Sequence, residues 1–104
     1  MMAVTDPFEE FGDVAELALR LTDPDPAVRR VAVLDLAETA DPNAVPHLTG
    51  IAADPDAGVR RQVAEALGGF DGPAVASALA GALADPDRDV AKAAAESLTE
   101  LKDP

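Results

Sequence analysis

The residues best suited to chemistry are three Asp-Pro-Asp tripeptides, spaced 31 residues apart at 23–25, 54–56 and 85–87. Paired carboxylates could bind a hard cation such as Ca²⁺. A calcium loop of the EF-hand kind needs a glycine at its sixth position and a glutamate at its twelfth, and no copy has both. The second aspartate of each copy, however, precedes a helically spaced apolar segment. We therefore interpret Asp25, Asp56 and Asp87 as helix N-caps and predict no metal site.

Other reactive side chains are isolated in the sequence. His47 is the single histidine of a chain without cysteine, so no second soft ligand can complete a transition-metal site with it. Ser77 and Ser97 fall within predicted helices, with no adjacent base and no Gly-x-Ser-x-Gly turn. The Gly68-Gly69 pair indicates a helix end and lacks the pattern of a phosphate loop. We predict no catalytic residue, no cofactor and no enzymatic activity.

Charge and composition narrow the class of partner. The 104-residue chain carries a net charge of -12, so neither nucleic acid nor an anionic membrane is expected as a partner. The chain start lacks the basic and apolar parts of a secretory signal, and no apolar run could span a bilayer. The sequence therefore predicts an acidic, cytoplasmic protein of one small domain.

A constant period of this size is typical of stacked repeats, each of which buries its apolar face against its neighbours. Each unit contains two helical segments, the second starting after Asp-Pro-Asp, and these second helices are predicted near 26–40, 57–70 and 88–102. Gly12-Asp13, Pro42-Asn43 and Gly72-Pro73 open the first helices. We predict three repeats at about 12–41, 42–72 and 73–104, preceded by a capping segment at 1–11.

The sequence resembles a known family most clearly at 54–68, where Asp54-Pro55-Asp56 is followed by Val59-Arg60-Arg61. This segment resembles the short HEAT-like repeat of the type also found in phycobilisome lyases. The resemblance implies an all-α fold: a short right-handed α-solenoid of three HEAT-like helical hairpins, six helices in all. It also implies a protein-binding surface. The third repeat departs from the pattern, because Ala91 stands where the repeat has arginine, so any arginine ladder stops early.

Helical geometry predicts which residues of the second helices face outward. If Val28, Ala32 and Leu36 face the core, positions 30, 34 and 37 face out. The equivalent positions across the repeats form a candidate partner-binding ridge: Arg30, Leu34, Arg61, Glu65, Lys92 and Glu96. A plain solvated face is the alternative, in which Arg61–Glu65 and Lys92–Glu96 form i,i+4 pairs of small benefit. Leu34 is the strongest binding candidate, because both of its counterparts are glutamate.

A second candidate surface is the C-terminal repeat. Residues 74–84 are apolar almost all round, although the outer helix of a stack should show a polar face. Four interpretations stay open: self-association, docking of another protein, a chain taken from a longer repeat array, or an alanine-rich helix that is simply tolerated at this end. We predict a non-catalytic protein–protein interaction module or scaffold that binds an unknown partner through the ridge. The alternative is an accessory subunit of a lyase or cofactor-attaching enzyme complex, with the chemistry on another chain.

Overall fold

The computed structural model describes residues 14–101, and the helices in that range are joined by short turns. They are α1 (14–19, continued by the 3-10 turn Arg20–Thr22), α2 (Pro26–Glu38), α3 (Ala44–Gly50), α4 (Ala57–Leu67), α5 (Pro73–Ala82) and α6 (Arg88–Glu100). None of the described residues forms a strand. The predicted capping segment 1–11 and Gly12-Asp13, the predicted opening of the first helix, lie outside the described residues, so the division into domains stays a prediction.

The second helix of each repeat starts at the second aspartate of Asp-Pro-Asp. The carboxylate of Asp25 accepts from the Ala27 amide at 2.9 Å. The Asp56 carboxylate accepts from the Val59 amide at 2.9 Å. Asp87 accepts from the amides at 89 and 90. The predicted N-caps are therefore confirmed, and each satisfies an amide that the first helical turn leaves unpaired.

Helix ends also follow from local backbone chemistry. The predicted helix near 57–70 ends earlier, at Leu67, because Gly68 and Gly69 favour a turn. Gly72, directly before α5, has φ of 118°, in the region that favours glycine. Ala40, just beyond α2, has φ of 53° and is the one non-glycine residue of the described range with positive φ.

The helices form two adjoining rows. Helix α4 packs against α2 on one side and α6 on the other, while α3 packs against α5. Helices α3 and α5 in turn contact the row of second helices. Each hairpin therefore packs against its neighbours in sequence, which is the arrangement of an all-α solenoid.

The core lies between these rows and between successive repeats. Its largest fully buried side chains are Leu36, Leu48, Leu67, Leu79, Val33, Val59, Val63, Val75 and Val90. One outward prediction is wrong, since Ala37 is partly buried and packs against this core. Val28 is only partly buried, although Val59 and Val90 in the same register are buried.

Candidate protein-binding surface

The predicted ridge residues lie on α2, α4 and α6, and their side chains differ in solvent exposure. Leu34 is 44% exposed. Arg61 and Glu65 on α4 and Lys92 and Glu96 on α6 are exposed as well, while Arg30 is half-buried. The three cationic side chains, Arg30, Arg61 and Lys92, also differ in the groups that they contact.

Arg30 reaches across from α2 to α4. Its Nη1 lies 3.4 Å from an Asp56 carboxylate oxygen, and both side chains are partly exposed. The same guanidinium lies over Gly58, where a Cβ would come within 3.0 Å of Arg30 Nη1. Arg30 thus joins two repeats as well as facing solvent.

Arg61 stays within its own helix. Its Nε donates to Glu65 at 3.1 Å, as the i,i+4 spacing predicts. The other predicted pair, Lys92 with Glu96, is not formed, because no ion pair joins these two described side chains. The ridge therefore contains a neutralised pair on α4, and on α6 it contains two charges that have no ion-pair partner among residues 14–101.

Sequence reasoning missed a second exposed apolar residue beside Leu34. Val31 is 52% exposed and lies one helical turn before Leu34, so both side chains share one face of α2. The signal was present in the sequence, because Val31 precedes Leu34 by three residues, an apolar i,i+3 spacing. Arg30, Val31 and Leu34 together form a mixed charged and apolar patch, which we call the α2 patch.

A more ordered set of charges lies between the repeats. Arg29 on α2 donates through Nε and Nη2 to the Asp54 carboxylate at 2.9 and 3.0 Å. Arg60 on α4 makes the same two-point contact with Asp85 at 2.8 and 3.2 Å. These side chains are mostly buried, with exposed fractions between 6% and 17%. Such forked contacts fix both distance and orientation, so they set how successive repeats stack.

Each forked guanidinium also returns to its own repeat. Arg29 Nη1 donates to the backbone carbonyl of Asp23 at 2.6 Å, and Arg60 Nη1 donates to that of Asp54 at 2.8 Å. The hydrogen bond from Arg60 lowers the pKa of Asp85, against the opposing effect of burial. The same bond raises the pKa of Arg60. Ala91 provides no guanidinium at the equivalent position of α6.

The third repeat exposes apolar surface, as its sequence suggested. Leu83, at the end of α5, is 46% exposed, and Ala80, Ala84 and Ala95 are exposed as well. In the preceding repeat, the equivalents of Ala80 and Ala95 are Thr49 and Ala64. Ala64 is buried where α6 packs on α4. The exposed α5–α6 surface is thus the counterpart of a face that is covered one repeat earlier.

The residues considered for catalysis are separated. His47 is exposed on α3 and Ser77 is exposed on α5. Ser97 is buried, and its hydroxyl donates to the Ala64 carbonyl at 2.7 Å between α6 and α4. Within residues 14–101, no group of His, Cys, Asp or Glu side chains has the arrangement of a metal site. The first aspartates, Asp54 and Asp85, instead hold arginine.

An open groove of about 520 Å³ runs along the first helices. Its floor consists of small residues of α3, α5 and the turns after them, including Gly50, Ala53, Ala78 and Ala82. Arg60 and Asp85 line it as well. None of the helices within the described part is both long and apolar enough to cross a membrane.

Comparison with known proteins agrees with this architecture. The family described as HEAT repeats matches residues 14–99, which include every helix given above except the last residue of α6. No curated protein matches the chain. The match does not distinguish subtypes, so the phycobilisome-lyase type stays a prediction. HEAT repeats are generally protein-interaction modules and typically non-catalytic. With stacked helical hairpins, a shared register and this match over most of its length, the chain belongs to the HEAT-repeat family.

Proposed function

We propose that this chain is a non-catalytic interaction module that binds a partner protein through the ridge of α2, α4 and α6. The observation that carries the proposal is the α2 patch. The large apolar residues exposed in the described range are Leu19, Val31, Leu34 and Leu83, and two of these are neighbours on α2. Adjacent exposed apolar side chains with a charged border are typical of binding surfaces.

The charges of the ridge give this surface a selective character. Arg30 belongs to the α2 patch and Arg61 occupies the equivalent position on α4, on a chain whose net charge is -12. Lys92, Glu65 and Glu96 extend the ridge with both signs of charge. A partner with an apolar anchor and basic flanks would be attracted by the molecule as a whole, while acidic proteins would be repelled. The proposed location is the cytoplasm.

The test is a capture experiment from an extract of the source cell, with two matched variants beside the wild-type chain. Leu34→Glu introduces the residue found at the equivalent positions 65 and 96, so the helix should tolerate it. Leu83→Glu makes the same change at a leucine of almost equal exposure, 46% against 44%. Circular dichroism and the unfolding midpoint establish that both variants remain folded.

A protein held by the wild type and by Leu83→Glu, but lost by Leu34→Glu, would support the ridge. Its purified form should then bind with a Kd raised about tenfold or more by Leu34→Glu, as for the loss of a central apolar contact. Capture that is unaffected by Leu34→Glu would contradict the proposal. Capture lost only with Leu83→Glu would move the site to the α5–α6 surface.

Self-association through that α5–α6 surface is a separate part of the proposal. Leu83, Ala80 and Ala95 are apolar and exposed there, so two copies could bury them against each other. Sedimentation equilibrium over a wide concentration range measures this directly. A dimer that Leu83→Glu dissociates would support it, and a wild-type chain that is monomeric at about 1 mM would contradict it.

The alternative function, an accessory subunit of a lyase or cofactor-attaching complex, rests on the resemblance and on the groove between α3 and α5. That groove, at about 520 Å³, is large enough for a small organic group. The chemistry would lie on another chain. Visible absorbance in the protein isolated from its source would support this function, and a colourless preparation without a bound small molecule in mass spectrometry would contradict it.

A further inference from the structure

The three Asp-Pro-Asp turns are three copies of one structure, and two of them hold an arginine. In the second and third copies, the first aspartate receives the forked guanidinium of the preceding repeat: Asp54 from Arg29, and Asp85 from Arg60. These internal copies show what the turn binds when a second helix of this class is stacked on it. The first copy can be compared with them atom by atom.

The turn at Asp23 has the same internal geometry. One Asp23 carboxylate oxygen accepts from the Asp25 amide at 2.8 Å. The matching distances are 2.9 Å in the second turn and 2.8 Å in the third. This hydrogen bond orients the carboxylate on its turn in each copy, so Asp23 is held as its arginine-bound counterparts are.

No arginine of this chain pairs with Asp23 among the described residues, where its side chain is partly exposed. Arg20, three residues earlier, is exposed and makes no ion pair there. Segment 1–13 contains neither lysine nor arginine. The guanidinium that would complete this turn is therefore not among the arginines of this sequence, all of which lie in the described residues.

We propose that Asp23 is a docking site for an arginine that a partner protein presents from a helix. In both internal copies the arginine follows the first aspartate of its own turn by six residues, and its Nη1 returns to that aspartate's carbonyl. The fitting partner is therefore a helical hairpin with an arginine in the first turns of its second helix. Lysine fits less well, because it cannot make the two-point contact.

A second copy of this chain is not the fitting partner. If copies stacked head to tail, the residue facing Asp23 would be Ala91, which occupies the register position of Arg29 and Arg60. The Asp23 carboxylate would then lose water without gaining a guanidinium, which is unfavourable. The site therefore distinguishes a heterologous arginine-bearing repeat from the chain itself. The contact would be made by the Asp23 carboxylate and does not require Leu34, the residue that tests the ridge.

The absence of arginine at position 91 offers a direct test. In Ala91→Arg, one molecule would present to the next the group that the inference requires. Ala91→Gln and Ala91→Lys are controls for side-chain length and charge. Asp23→Asn removes the acceptor charge but retains an oxygen for the Asp25 amide. Each variant, and the double variant Ala91→Arg/Asp23→Asn, is compared by sedimentation equilibrium after its helicity and thermal midpoint are measured.

We expect Ala91→Arg to self-associate with a Kd about tenfold or more below that of Ala91→Gln, with Ala91→Lys between them. Adding Asp23→Asn should return the Kd to the Ala91→Gln value. Self-association that persists with Asp23→Asn would place the contact elsewhere, and no gain with Ala91→Arg would show that Asp23 does not accept an arginine from another chain. Either result overturns the inference and leaves the ridge proposal unaffected.

Discussion

The interface between α2 and α4 and that between α4 and α6 contain the same forked ion pair but differ around it. Arg29–Asp54 joins the first pair of helices and Arg60–Asp85 the second. At the second interface, Ser97 also donates to the Ala64 carbonyl at 2.7 Å and lies against Gly68. At the first interface, the residues in the register of Gly68 and Ser97 are Ala37 and Ala66.

The second arginines of the two Arg-Arg dipeptides, Arg30 and Arg61, also differ in what they contact. Arg30 has Leu34 four residues later and reaches across to Asp56, whereas Arg61 has Glu65 at that spacing and pairs within its helix. A nearby acceptor on the same helix thus decides whether the cation joins repeats. The shared register fixes the forked pair, and individual neighbours decide every additional contact.

The largest expected effect tests how far tight packing extends along the stack. Leu67 is fully buried, whereas Leu98, in the same register of α6, is only partly buried. Leu67→Ala should lower the free energy of unfolding by about 3 kcal/mol and Leu98→Ala by about 1 kcal/mol. Urea unfolding followed by circular dichroism measures both. Equal losses would contradict the view that the two interfaces around α4 are packed more tightly than the outer face of α6.

Removing a forked arginine should have nearly the same effect at either interface. Arg29→Met and Arg60→Met keep most of the apolar stem but leave Asp54 or Asp85 without its guanidinium. Each should destabilise the fold by about 2 kcal/mol, between the values typical of exposed and buried pairs. A double-mutant cycle of Arg60→Met with Asp85→Asn isolates the coupling. A coupling of only about 0.3 kcal/mol would reduce the pair to an ordinary surface contact.

The destabilising effect of a substitution at Gly68 should be specific to the interface between α4 and α6. A Cβ at Gly68 would lie 2.6 Å from Ser97 Oγ, so Gly68→Ala should destabilise by about 1–2 kcal/mol. The double variant Gly68→Ala/Ser97→Ala introduces the alanine pair of the first interface. Because Ser97→Ala alone loses the hydrogen bond to Ala64, the double variant should cost less than the sum of the two single losses. Thermal unfolding of the single and double variants provides the comparison. Strictly additive losses would mean that the hydroxyl is not the obstacle.

The Arg60–Asp85 contact should also appear in the pH dependence of stability. Because the folded pKa of Asp85 is lowered from 3.8, its stabilising contribution is present above that pH and is lost as the pH falls through the folded pKa. Asp85→Asn should therefore be less stable than the wild type at pH 7, by about 1 kcal/mol. The difference should shrink below about pH 4. Asp71→Asn, at an exposed position, is the control, and a constant difference for Asp85→Asn would contradict the assignment.

The smallest expected losses of stability come from replacing Arg30 or Arg61, the second arginine of each Arg-Arg dipeptide. Arg61→Gln removes an exposed pair within one helix and should cost about 0.3 kcal/mol. Arg30→Gln removes a contact between repeats and should cost about 0.8 kcal/mol. Chemical denaturation of both variants in parallel is sensitive enough when the transition slopes agree. A larger loss for Arg61→Gln would contradict the idea that Arg30 joins the repeats.

Much of the fold follows from local sequence signals, whereas the ion pairs depend on stacking. Asp25, Asp56 and Asp87 were predictable as caps because a cap needs only the next three residues. The forked pairs join residues 25 positions apart, and their partners become neighbours only after the repeats are stacked. The missing donor at Ala91 was visible in the sequence, but its meaning required the geometry of the pairs at Asp54 and Asp85.

The sequence predicted some features of the candidate surface correctly and others wrongly, for similar reasons. Helical spacing was enough to place Leu34 outward, since solvent exposure repeats every turn. It gave the wrong result at Ala37, because the neighbouring hairpin covers more than one row of side chains. It also could not reveal that Arg30 is drawn toward Asp56, since that acceptor belongs to the next repeat.

The central position of α4 has a consequence for how the molecule opens. Helix α4 packs against the second helix of the preceding repeat and that of the following repeat. Among the described residues, α6 packs against the second helix of one other repeat only. The α5–α6 hairpin can therefore detach while α2 and α4 remain paired, but α4 cannot unfold without separating both of its neighbours. Amide protons of α4 should therefore be among the last to exchange with solvent.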